Sequence, residues 1–186
     1  MKKFLAAAFL SVFVATPALA QFAGKSYLAL DVGPANYKGV KVAAGTYPDP
    51  GSANFAFGYR FTDKVAAEIG YTSFGDSSLI ASGASATVSA SSFHANAVGN
   101  FAMGEKFDFL GLIGLASNSQ KLAVSTGTNY SGSATGLMYG LGVQYKINQR
   151  FAVRALYRDY GSFGKFGATN GDMTATTFTV GGILNF

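Results

Sequence analysis

The chain of 186 residues has no cysteine and no tryptophan, and a single histidine. Without cysteine there is no disulfide framework and no thiol chemistry. Charge is scarce too. Asp, Glu, Lys and Arg make up 12% of the sequence, about half of the roughly 25% typical of a soluble domain. That is too little to coat an ordinary aqueous surface. Yet no internal apolar run approaches the roughly 18 residues that a transmembrane helix needs. What is abundant is hydrophobic residues (49%), aromatics (15%) and 24 glycines. A length of this order suits one domain. An apolar, charge-poor, glycine-rich chain without helix spans points to β-structure in lipid.

The N-terminal stretch MKKFLAAAFLSVFVATPALA carries Lys2 and Lys3, an apolar run from Phe4 to Ala15, and Ala18-Leu19-Ala20. These are the three regions of a secretory signal peptide. We expect residues 1–20 to be that peptide, with Ala18 and Ala20 marking cleavage before Gln21. No cysteine follows, so a lipoprotein is not expected. Removing two of the 14 basic residues leaves 12 against 9 acidic ones, a net charge of +3. That gives no patch for nucleic acid.

Residues 21–186 read as one β domain. In ANFAFGYRFTDKVAAEIGYTSF, Phe55, Phe57, Tyr59 and Phe61 share one parity, and Val65, Ala67, Ile69 and Tyr71 resume it after Thr62-Asp63-Lys64. Period-two alternation on both sides of a short polar turn predicts a hairpin, with Phe61 opposite Val65. Two more hairpins follow, with turns at Met103-Gly104-Glu105 and Asn148-Gln149-Arg150. Strands at KSYLALDV and TATTFTVGGILNF bring the total to eight. The remaining links, about residues 34–53, 75–88, 117–133 and 161–174, are long and rich in Gly, Ser, Thr, Asn and Ala. Short turns alternating with long links, over an even number of strands, match the periplasmic turns and extracellular loops of outer-membrane barrels. Both termini then lie on the periplasmic side.

A soluble eight-stranded barrel also alternates, so the faces must be weighed. One parity is large and aromatic or aliphatic. The other holds Arg60, Glu68, Asp108, Lys146, Arg154 and Arg158 among Ala, Gly, Ser, Thr and Asn. Small residues and a few charges make a poor water-facing coat, but they suit the interior of an eight-stranded barrel, which side chains fill. The bulky parity therefore faces lipid.

The last residues, Thr179-Val180-Gly181-Gly182-Ile183-Leu184-Asn185-Phe186, resemble the C-terminal signal that outer-membrane proteins present to the barrel-assembly machinery. Thr179, Gly181, Leu184 and Phe186 match it. FGYRFTDKVAAEIGYTSFG is similar to the Gly-Tyr-Arg-Phe hairpin of small OmpA-like, opacity-type barrels. The resemblance implies an all-β, up-and-down, eight-stranded transmembrane barrel in the bacterial outer membrane. It also implies periplasmic chaperones during biogenesis and contact with lipid and lipopolysaccharide. OmpA proper carries a separate peptidoglycan-binding domain after its barrel, so the resemblance is not expected to bring a cell-wall anchoring role with it.

Within the lumen we expect polar pairing, because unpaired charges there are costly. Arg60 and Glu68 sit diagonally in one hairpin. Asn100 would face Asp108, Gln144 would face Arg154, and Arg158 lies one step further. Such a network would plug the barrel, giving a structural protein whose loops meet surface ligands. The alternative is a narrow porin-like channel gated by those pairs. A lipid A-modifying enzyme is a third reading. His94 is the sole histidine, and Asn96 stands where a deacylase resemblance would want serine. No metal cluster, phosphate loop or nucleophile elbow is present, so neither catalysis nor a cofactor is expected.

Overall fold

The computed structural model describes residues 25–38, 49–81, 84–125, 129–165 and 172–186. The expected signal peptide, with Ala18 and Ala20, lies outside the described residues. Eight strands follow in chain order: β1 (Ser26–Lys38), β2 (Gly51–Arg60), β3 (Val65–Ala81), β4 (Ala84–Ala102), β5 (Phe107–Val124), β6 (Asn129–Lys146), β7 (Phe151–Lys165) and β8 (Asp172–Asn185). Each pairs antiparallel with its neighbours, and β8 closes on β1 through Leu28↔Leu184 and Leu30↔Gly182. Closure leaves no free edge in lipid, where an unpaired backbone group is expensive.

Alternation determines which side chains point out. Val32, Phe55, Ile69, Phe93, Leu141 and Phe178 all stand exposed on the outer face, as the sequence parity predicts. On β6 and the residue that follows it, the outward run from Leu137 to Ile147 covers 11 residues. At about 3.3 Å per residue and a tilt near 45° it rises about 25 Å, the height of the apolar band of a membrane barrel. Beyond it the outer face changes character. Ser73, Ser91, Ser119 and Ser133 face one another in sequence across β3, β4, β5 and β6.

The strands are longer than the sequence indicates. Residues 75–81 and 84–88, read as a loop, continue β3 and β4, and residues 117–124 and 129–133 continue β5 and β6. β1 and β7 likewise enter the links expected at 34–53 and 161–174. These stretches are rich in Ser, Gly, Ala, Thr and Asn, and their few larger apolar residues do not keep the strict alternation of the belt. The β3–β4 pairing continues, with one irregularity between Phe74 and Ser77, from Glu68↔Asn96 up to Ala81↔Ala84.

Two of the three short turns have the predicted register. Arg60↔Ala66 places Phe61 opposite Val65, and Lys146↔Ala152 belongs to the same arrangement around Asn148. The Thr62 hydroxyl accepts from the amides of Lys64 and Val65, and the Asn148 side chain accepts from those of Arg150 and Phe151. Each turn is thus held by its first residue. The middle turn has Gly104 in that place. Its register, Ala102↔Asp108, is two residues from the one expected. A shift of two preserves the faces but changes the partners.

Candidate functional site: the barrel interior

The lumen is filled in three layers. Towards the short turns, inside a polar rim of Arg60, Asn100, Asp108 and Gln144, the side chains of Tyr27, Leu110, Leu112 and Ile183 pack with small alanines. Nearest the long hairpins, Phe74, Met138, Tyr160, Phe163 and Met173 form a second apolar cluster. Phe74 meets the rings of Tyr160 and Phe163 edge-on at 5.2 and 5.4 Å. Between these layers lies a sealed ionic cluster.

Asp31 is its hub. Arg154 grips the carboxylate with two parallel bonds, Nε to Oδ1 and Nη2 to Oδ2, both 2.8 Å. Arg158 Nη2 donates to Oδ2 at 2.7 Å, and Asn54 Nδ2 donates to the same oxygen at 2.8 Å. The third donor of Arg154, Nη1, reaches Glu68 Oε2 at 2.7 Å, and the Tyr27 hydroxyl donates to that oxygen at 3.2 Å. Two guanidinium groups thus meet two carboxylates, all buried, and the formal charges cancel. The forked geometry is the one that offsets the desolvation of a buried pair best.

The network continues upward. His94 Nδ1 accepts from Asn96 Nδ2 at 2.9 Å, so its Nε2–H donates to Asn54 Oδ1 at 2.9 Å. The Thr72 hydroxyl donates to the same Asn54 oxygen at 2.9 Å and meets the Tyr160 hydroxyl at 2.9 Å. Both ring nitrogens of His94 are therefore engaged by amide side chains. The residue joins the ionic cluster to the aromatic layer above.

Several sequence expectations change. Glu68 pairs with Arg154, not with Arg60. Arg60 donates to Asn185 Oδ1 at 2.7 Å and lies over the Tyr27 ring at 4.4 Å. The register explains this: Glu68 stands opposite Gly58, while Arg60, opposite Ala66, is already at the rim. Asn100 faces Leu110 rather than Asp108. Asp108 instead accepts from Lys146 Nζ at 2.8 Å and, weakly, from Gln144 at 3.5 Å. Gln144 does stand opposite Arg154, as expected, but the guanidinium turns across the lumen. The interior is also less polar than predicted, since apolar layers bound the cluster on both sides.

Asp31 was the residue to find. In KSYLALDV the apolar parity of Leu28, Leu30 and Val32 draws the eye. The same alternation puts Asp31 inward, and that is the signal that finds it.

The second device missed is in β7. Above Asp159 the ladder to β6 stops, and the pairing with β8 shifts twice. Gly161 and Gly164 take positive φ, 68° and 85°. The irregularity turns Phe163 inward, although unbroken alternation from Phe151 would send it out. Carbonyls freed by the break are taken up from β5. Asn118 Nδ2 donates to Tyr160 O at 2.7 Å and Ser162 O at 2.8 Å, and Gln120 Nε2 donates to Gly164 O at 2.8 Å.

The four positions of the expected assembly signal divide by face. Thr179 is buried and accepts from Arg158 Nη1 at 3.3 Å. A side chain at Gly181 would strike the Asp31 carboxylate and the Leu30 carbonyl. Leu184 and Phe186 share the outward parity, and the Phe186 ring lies 6.5 Å from that of Phe57. Among the described residues, no group of three or more His, Asp or Glu side chains is placed to hold a metal ion.

A family model described as "Outer membrane protein beta-barrel domain" matches residues 4–186. No curated protein matches. Among solved structures, Neisserial surface protein A (NspA) is 18% identical, with a TM-score of 0.70, covering 87% of this chain and 97% of its own. Ail of Yersinia pestis, solved with the heparin analogue sucrose octasulfate, is 21% identical, with a TM-score of 0.61 and coverage of 88% and 99%. The N-terminal barrel domain of Pseudomonas aeruginosa OprF is 16% identical at a TM-score of 0.56, with 86% and 97% covered. At these identities the likeness is one of fold.

Proposed function

The chain belongs to the outer-membrane protein β-barrel domain family, and we propose that it serves there as a closed scaffold displaying an interaction surface, not as a pore or an enzyme. The observation that carries this reading is the strand extension. β3 to β6 continue past the apolar band, and their outer face becomes a hydroxyl array, with Ser73, Ser91, Ser119 and Ser133 in register and Ser117 and Thr135 below them. A rigid, nearly uncharged hydroxyl surface suits saccharide. The sugars of lipopolysaccharide, or those of another cell surface, are its proposed partners. Ail was solved with a sulfated saccharide analogue. Here Lys121, in the same patch, has acidic Asp76 nearby, bonded to Ser89, which favours neutral sugar over a polyanion.

In this reading the long hairpins face outward and the short turns face the periplasm. The segment from Thr179 to Phe186 addresses the chain to the barrel-assembly machinery after chaperoned transit, and residues 1–20 are removed. The lumen residues, from Arg60 and Glu68 to Arg158, hold the barrel shut. His94, bonded to Asn54 and Asn96, has a structural role.

The absence of native cysteine makes a direct test simple. Ser119→Cys and Gln149→Cys place one thiol at each end. On intact cells a membrane-impermeant maleimide should label the first and spare the second, and the reverse pattern would refute the orientation. Replacing Ser73, Ser91, Ser119 and Ser133 together by alanine should lower retention of the purified barrel on immobilised lipopolysaccharide. Unchanged retention would remove the saccharide role.

A further inference from the structure

On the outer wall near the short turns, the belt has a gap. Gly182 points outward between Leu30 and Val153, its cross-strand partners, and a Cβ added there would meet nothing within 4 Å. The missing side chain leaves a groove of about 480 Å³ across the β7–β8–β1 seam. Its walls are Leu28, Leu30, Phe55, Phe151, Val153 and Leu184, with Asn148 at the turn end. A hydrocarbon chain fits such a slot, and among the described residues no side chain fills it.

Charge specifies the rest of the ligand. The other two short turns balance their cations: Asp63 adjoins Lys64, and Glu105 adjoins Lys106. The turn beside the groove is Asn148-Gln149-Arg150, with a cation and no acid. It is fixed against the end of β8, since Asn185 N donates to Arg150 O at 2.7 Å and Asn185 Nδ2 to Gln149 O at 3.2 Å. Lys25, exposed at the start of β1, stands on the other side of β8. An apolar slot thus ends at a rim where two cations, Arg150 and Lys25, flank the last residues of β8.

We propose that this seam is a binding site for one anionic glycerophospholipid, an acyl chain lying over Gly182 and the phosphate at Arg150 and Lys25. Phospholipid, rather than lipopolysaccharide, follows from the orientation proposed above, because the short-turn side faces the phospholipid leaflet. Apolar contact supplies affinity in proportion to the methylenes covered. The cations supply selectivity for the headgroup, as basic residues at a membrane surface do.

The test uses the folded, purified barrel exchanged into nanodiscs of equal phosphatidylglycerol and phosphatidylethanolamine, with retained lipid read by native mass spectrometry after detergent release. Wild type should keep one phosphatidylglycerol in preference to phosphatidylethanolamine. Gly182→Leu should lower retention of both about tenfold, the effect of displacing about two methylenes. Arg150→Gln should abolish the preference while leaving chain retention. Arg150 lies in an exposed turn, so this variant stands even if Gly182→Leu assembles poorly. Equal retention by wild type and both variants would overturn the site. So would a dimer in place of a lipid adduct, or a wild type without headgroup preference. Cysteine labelling reports on the orientation separately, so failure of one reading is distinguishable from failure of the other.

Discussion

Replacing Asp31 by asparagine removes one charge and little volume. Asp31 accepts four hydrogen bonds, three of them from guanidinium groups. Charge-assisted bonds contribute roughly 1.5–3 kcal/mol each, so simple addition over the four would give about 6–12 kcal/mol. Addition overstates the loss, because the remaining charges can regroup. Arg158 Nη2 already lies 4.0 Å from Glu68 Oε1, and a small rotation would share Glu68 between both arginines. What cannot be recovered is neutrality. Two buried guanidinium groups would then face one carboxylate, and an uncompensated charge of this kind costs about 3–5 kcal/mol. Urea unfolding of the barrel in vesicles, followed by circular dichroism, reads this directly. At a slope near 2 kcal/mol per molar, the midpoint should fall by about 1.5–2.5 M. Adding Arg158→Gln to Asp31→Asn restores neutrality and should recover part of the loss. A single variant that unfolds with wild type would refute the account of the cluster. So would a double variant whose losses simply add.

The other expectations can be checked with the same preparations. Ile69→Arg puts a charge on the lipid face, at a cost of about 2–4 kcal/mol near the midplane. It should remove the heat-modifiable gel shift from the membrane fraction, and a folded, soluble variant would contradict the lipid-facing assignment. Lys146→Ala breaks the bond to Asp108, but the lysine is 43% exposed, so no more than about 1 kcal/mol should be lost in urea. Asn118→Ala leaves the Tyr160 and Ser162 carbonyls without their side-chain donor. Amide exchange near residues 160–164 should quicken, with about 1–3 kcal/mol lost, while the belt strands stay protected; uniform exchange across β7 would argue against the local role. Wild type and Glu68→Ala should both be silent in planar bilayers, since apolar layers cap the cluster at either end. Stepwise currents from either would return the channel reading to first place.

Strands, faces and closure were legible because the membrane imposes strong contrast. Phe55 to Phe61 and Leu137 to Ile147 alternate cleanly because one face meets lipid and the other a narrow interior. Contrast disappears above the belt, where Ser and Ala serve both faces, so residues 84–88 looked like loop. Partners across the lumen were harder. Local pairing brings Glu68 to Gly58 and Asn96, but its ion pair with Arg154 depends on how the closed cylinder staggers its strands. No hairpin encodes that stagger. Phe163 escaped for a related reason, since the positive φ of Gly161 and Gly164 changes parity without leaving a pattern that alternation can read.

The ionic cluster draws its members from opposite ends of the chain: Asp31 from the first strand, Glu68 from the third, Arg154 and Arg158 from the seventh. Nothing local brings them together, and such distant contacts form late. Until the first and last strands meet, both arginines lack their main counter-ion in a medium that penalises bare charge. An unclosed sheet is therefore penalised twice, once at its edges and once at its centre. The full stabilisation of the cluster is thus available only to a chain that has come full circle in the correct stagger.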